Sequence, residues 1–240
     1  MTLQQDEMAL AGVREALQRV PRMNGAGAPL ILSFADGALI IKGEVPDVAV
    51  KRHAIHAAAS VDDVGVIVDR LTVAPAEIMG DRQIRDQFRD VLYREPAFTD
   101  FMLIAVDRGS PTVLRRPVEA GGRIEYDVDR GIVTLNGAVP SVEHKRLAGV
   151  LAWWVPGRRD VVNAMTVEDG VGQAAGTLAD WVKEILDRDE ALDAAAITVA
   201  AENGTVRLSG RVASESDRDQ AEFDAWYVDG VDQVINNIEI

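Results

Sequence analysis

Gly37-Ala38-Leu39-Ile40-Ile41-Lys42-Gly43, Gly131-Ile132-Val133-Thr134-Leu135-Asn136-Gly137 and Gly204-Thr205-Val206-Arg207-Leu208-Ser209-Gly210 repeat one pattern three times along the chain. Each opens and closes on glycine, and apolar residues alternate between: Leu39 and Ile41, Val133 and Leu135, Val206 and Leu208. Alternation with a period of two is the mark of a strand with one buried face. Before each opening glycine stands Asp36, Arg130 or Asn203, following β-type runs such as Leu30 to Ala35 and Ile197 to Ala201. Asp-Gly and Asn-Gly are strong two-residue hairpin turns. Thirty positions after the closing glycines lie Val73, Val167 and Ile240, reached without a gap, so the copies stay in register. Repetition of this length signals tandem modules.

Working outward, Asp47, Ser141 and Ser214 occupy helix N-cap positions, where a side-chain oxygen accepts from an otherwise unpaired amide. The helices that follow carry a stripe spaced four then three: Ala54, Ala58, Val61; Ala148, Ala152, Val155; Ala221, Ala225, Val228. Small residues there let a helix lie close on a sheet. A closing strand should bury Leu71, Met165 and Ile238, with a right-handed crossover if it runs parallel to the strand before. An earlier helix opens each copy, at about Gln5 to Val20, Asp81 to Arg94 and Leu178 to Arg188, with Pro21 and Pro96 closing the first two. The expected fold is α+β: three tandem αββαβ modules over 1–75, 76–170 and 171–240, each a small three-stranded sheet packed by two helices. Modules of this size are marginal alone and are expected to share buried surface. The first copy's outward positions Ala38 and Ile40, against Thr205, Arg207 and Ser209 in the third, predict a covered first sheet. The middle copy holds an insertion at about 101–122, an extra hairpin or an interaction loop.

Composition narrows the function classes. With 48% hydrophobic residues the 240-residue chain can fill real cores. It has no cysteine, which removes disulfides, thiolate metal sites, lipidation on cysteine and a cysteine nucleophile. A formal charge of −14 opposes nucleic acid. Met1 to Val13 do not resemble a signal peptide and no run approaches a membrane span, so the expected location is cytoplasmic.

The opening helix, the pattern G-x-V-x-L-x-G-x-V, the Ser or Asp cap, the Ala-rich helix and a close such as Gly230-Val231-Asp232-Gln233-Val234-Ile235-Asn236-Asn237-Ile238 resemble the BON domain of bacterial osmotic-stress and nodulation proteins. The third copy matches best. The first departs most, with Asp63 where the others have Gly157 and Gly230, and Asp69 where they have Asn163 and Asn236. The resemblance implies a non-enzymatic module, commonly repeated, linked to osmotic stress, envelope integrity, phospholipid contact and, in a cytosolic relative, potassium binding.

The residues that could carry chemistry are few. His53 and His56 have ligand spacing but no evident third ligand, and read as helix surface. His144 stands alone, and no triad is evident. Gly25-Ala26-Gly27 reads as linker. Lys145, Arg146, Arg158, Arg159 and Arg218, with Lys51 and Arg52 at matching places, are the candidate ligand-binding residues, as a phosphate patch or as solvated partners of the abundant carboxylates. Gly37, Gly43, Gly131, Gly137, Gly204 and Gly210 are structural. Asp69, Asn163 and Asn236 are expected to satisfy backbone, and Trp153, Trp154, Trp181 and Trp226 to pack. No metal or cofactor is expected. The chain reads as a binding protein whose ligand is a cation such as potassium, a protein partner or a phospholipid, or else as a self-assembling scaffold that forms homo-oligomers.

Overall fold

The hairpin turns are built on left-handed backbone. Asp36, Arg130 and Asn203 take φ of 51, 52 and 48°, and the glycines after them 79, 78 and 76°. Two successive residues at positive φ make the turn whose twist matches paired strands. A computed structural model describes residues 3–23, 29–168 and 176–240 of the chain; Gly25-Ala26-Gly27 lies outside them. The chain divides into two compact units, Met1–Ala74 and Pro75–Ile240.

In the first unit, α1 (Leu3–Gln18) precedes β1 (Ile31–Ala35), β2 (Ala38–Val45), α2 (Val48–Ala59) and β3 (Val66–Val73), and the sheet order is β1-β2-β3. β1 and β2 pair antiparallel and β2 and β3 parallel. Leu39, Ile41, Ala54, Ala58 and Leu71 are fully buried, so the alternating strand face and the alanine stripe meet. Ala38 and Ile40 are half-buried on the other face, while Ile31 and Val66 beside them are 60% and 62% exposed.

The second unit repeats this plan twice. α3 (Asp81–Arg94) leads to β4 (Phe101–Asp107), β5 (Ser110–Arg115), β6 (Gly122–Asp129), β7 (Ile132–Val139), α4 (Val142–Trp154), β8 (Asp160–Asn163) and β9 (Thr166–Val167). α5 (Leu178–Arg188) is followed by β10 (Ile197–Glu202), β11 (Thr205–Arg211), α6 (Glu215–Tyr227) and β12 (Gln233–Glu239). Asp47, Ser141 and Ser214 cap α2, α4 and α6, accepting from the amides of Val50, His144 and Asp217. The last sheet has three strands in the order β10-β11-β12, as expected, but the middle one has six. Its closing strand is split into β8 and β9, both paired with β7, and the insertion supplies two more. That insertion is a hairpin: β4 lies parallel to β6 and antiparallel to β5, giving the order β5-β4-β6-β7-β8. Phe101 and Leu103 are buried, which explains why an apolar run was retained there.

The closing glycines are required by close approach. A Cβ on Gly137 would come within 2.2 Å of the Arg123 carbonyl oxygen, and one on Gly210 within 1.9 Å of the Ala196 oxygen. Both also hold positive φ, 118 and 129°, so any side chain would be strained there as well.

Candidate functional site

The basic residues are drawn into local contacts. Lys145 and Arg146 sit in the first turns of α4, whereas Arg158 and Arg159 follow its far end. Arg146 Nε donates to the Asp229 carbonyl at 2.9 Å. Arg158 Nη2 donates to the Tyr227 hydroxyl at 2.7 Å, and its guanidinium lies 5.7 Å from the ring centroids of both Trp153 and Tyr227. Arg159 packs its aliphatic stem where a Cβ on Gly131 would fall. Arg218 pairs with Glu215 at 2.8 Å and Asp219 at 3.2 Å.

Several of these contacts belong to a joint between α4 and α6, where the second and third repeats meet. The rings of Trp153 and Tyr227 stack at 5.2 Å and 8°, an arrangement that contributes about 0.5–1.5 kcal/mol beyond its burial. Trp154 Nε1 donates to Asp224 Oδ1 at 2.9 Å. Asp224 is fully buried. Gln220 Nε2 bridges it to Asp189, at 3.2 Å from Asp224 Oδ1 and 3.0 Å from Asp189 Oδ2. Burial, reinforced by the Asp189 carboxylate, pushes the Asp224 carboxyl up to about 8 against the opposing Trp154 and Gln220 donors. Elsewhere at this joint, Arg188 ties α5 to Glu95 at the end of α3, at 3.1 Å. The sequence reading missed Asp224, although a signal was present: it aligns with Leu151 of the second copy, an apolar residue beside the alanine stripe.

The polar residue of each closing strand satisfies backbone, as expected. Asn163 accepts from the Met165 amide and donates to the Lys145 carbonyl at 2.8 Å. Asn236 does the same for Ile238 and Arg218, at 3.2 and 3.0 Å. Asp69 accepts from the Leu71 amide at 2.8 Å but has no amide to donate. There, Lys51, only 6% exposed, places Nζ 3.2 Å from Asp69 Oδ2 and 2.8 Å from the Leu71 carbonyl. Lys51 is therefore part of the first module's interior. Among the described residues no three His, Cys, Asp or Glu side chains gather into a metal-holding group.

The BON domain family profile matches residues 9–75, 113–169 and 175–240. The chain belongs to the BON-domain family. The second BON match starts at Val113, within β5, and so leaves out α3 and β4. Over 122 residues, 48% of this chain and 61% of the relative, it is 32% identical to osmotically-inducible protein Y of Escherichia coli. It is also 33% identical over 122 residues, 49% of this chain and 63% of the relative, to outer membrane lipoprotein DolP of Haemophilus influenzae. The chain thus spans about three fifths of the length of the curated relatives it matches. The C-terminal domain of CdsD, a structural protein of the type III secretion system of Chlamydia trachomatis, covers 95% of this chain and 95% of its own at 15% identity, with a TM-score of 0.22. The cytoplasmic expectation is corrected by these relatives, one of which is an outer membrane lipoprotein. It rested on the acidic opening residues and on the lack of a long apolar run. No described helix is long and apolar enough to cross a membrane.

Proposed function

We propose that this BON protein is a non-enzymatic component of the bacterial cell envelope that acts in osmotic or envelope stress by binding a protein partner. The stress role and the location are supported by its relatives, an osmotically-inducible protein and an outer membrane lipoprotein. The choice of a protein partner is carried by one observation: Arg146, Arg158 and Arg218 are engaged inside the second unit. With those cations occupied and a net charge of −14, long-range electrostatics oppose anionic surfaces. Deleting the gene from its host and challenging the cells with high osmolarity tests the stress role, and cell fractionation tests the location.

Phospholipid contact is the second reading, favoured by the outer membrane relative; it would use Lys145 and Arg159. Flotation with phosphatidylglycerol vesicles that is lost in the Lys145→Glu variant would put lipid ahead of protein. A potassium ligand is separated from both by melting curves in potassium and sodium chloride at equal ionic strength, where only selective stabilisation by potassium supports it.

A further inference from the structure

We propose that the free edge of β10 is a strand-addition site that takes an extended segment of the protein partner. This rests on the reading above and names the place on the chain where that partner docks.

The molecule carries the template. In β6, Asp129 faces Ile132 across the hairpin turn, so the main-chain groups of Asp129 and Asp127 bond to β7, and those of Tyr126 and Val128 point the other way. β4 occupies that side, in parallel register with Leu103 opposite Ile124 and Ala105 opposite Tyr126. The third repeat has the same turn, with Glu202 facing Thr205. By the same alternation the amides and carbonyls of Val199 and Ala201 point away from β11. Among the described residues no strand pairs there, and β10 is the edge of its sheet. The Ile197 amide is already taken by the Ala194 carbonyl, so the open stretch begins at the Ile197 carbonyl.

Sheets usually guard their edges with proline or charge. β5, the outer strand of the middle sheet, carries Pro111 and Arg115, and β3 carries Asp69 and Arg70. From Ile197 to Ala201, β10 has neither. An open cleft of about 590 Å³ lies over the outer face of the β10–β11 hairpin, lined by Ala200, Ala201, Glu202, Asn203, Thr205 and Arg207. Main-chain pairing supplies the affinity in such additions, and alternate side chains supply selectivity. The occupant is an extended segment running parallel to β10, continuously apolar as β4 is from Phe101 to Val106. Basic residues flank it, because the chain it meets carries −14 and Glu202 stands exposed where the added strand ends.

The test uses the whole chain, labelled with nitrogen-15, and a synthetic peptide carrying the sequence Phe101 to Val106 between lysine pairs. Hydrogen exchange at the Val199 and Ala201 amides should slow at least about tenfold on binding. Ala201→Pro removes an amide that β11 does not use, which an edge strand tolerates, and should abolish the effect. Ala200→Lys adds a guarding charge without touching the main chain and should weaken it. Absence of protection at millimolar peptide, protection at Leu32 and Phe34 of β1 instead, or binding that survives Ala201→Pro would overturn the site. The variant also separates this site from the function it rests on. If gene deletion sensitises cells to osmotic challenge and the Ala201→Pro chain restores them fully, the edge site falls and the stress role stands. If deletion has no envelope or osmotic phenotype, the stress role falls whatever the peptide does.

Discussion

Asp224 shows what one side chain can impose. Its carboxyl is fully buried between Trp154 of α4, Gln220 of its own helix and Asp189 at the end of α5. Burial holds it at about 8, well above an ordinary aspartate. Below about pH 4 the group is protonated in folded and unfolded chains alike and costs nothing. As the pH rises from there, the unfolded chain releases the proton and the folded chain keeps it, so stability falls by up to about 1.4 kcal/mol per pH unit until the folded group also ionises near pH 8. Asp224→Asn keeps the acceptor for Trp154 and places an amide donor toward Asp189. We expect urea titrations of this variant to show a flatter dependence between pH 5 and pH 8 and higher stability at pH 8; an unchanged slope would show that the carboxyl ionises freely in the fold. Lys51 and Asp69 pose the complementary case. Lys51→Met should cost about 1–3 kcal/mol by removing the charge-assisted bond to the buried Leu71 carbonyl and the ion pair to the partly exposed Asp69, and adding Asp69→Asn should recover most of it, since asparagine does this work in the other two copies. Equal losses in the single and double variants, by circular dichroism in urea, would show that the pair is not coupled.

At the scale of elements, the alanine stripe sets how near helix and sheet can come. Ala148 and Ala221 are fully buried, and Ala148→Asp or Ala221→Asp should destabilise the second unit by about 3–5 kcal/mol, because an unpaired charge enters the contact. Melting temperatures unchanged in both would mean that these helices face elsewhere. Elements of this kind were legible because short-range physics decides them. The glycine period, the caps at Asp47, Ser141 and Ser214 and the helices Asp81–Arg94 and Leu178–Arg188 were all read from local pattern. The β4–β5 pair was less so. An apolar run such as Phe101 to Val106 satisfies the rules for a strand without saying which edge it joins, and that choice depends on Ile124 and Tyr126, more than twenty positions away.

At the scale of the molecule, side chains from distant segments converge in ways a linear reading cannot rank. Basic residues recur at matching helix starts, at Lys51, Lys145 and Arg218, which left a phosphate patch and solvated ion pairs both open, whereas Arg158, beyond the end of α4, is drawn onto Trp153 and Tyr227. The first copy has Ala57, Ala59 and Ser60 where the second has Leu151, Trp153 and Trp154, so the α4–α6 joint is specific to the last two repeats. Trp153→Ala should remove about 3–5 kcal/mol and split calorimetric unfolding of the second unit into two steps. A single transition of unchanged midpoint would show that the repeats are not held through this ring.

The placement of indole side chains gives the chain an optical property. All four tryptophans lie at 153, 154, 181 and 226 and none in the first 74 residues. Intrinsic fluorescence excited at the red edge of tryptophan absorption therefore comes from the second unit alone. One of its emitters, Trp154, donates its indole proton directly to Asp224. The protein thus contains a built-in fluorescent probe of its own buried carboxyl, and an emission titration should follow that group without any added dye.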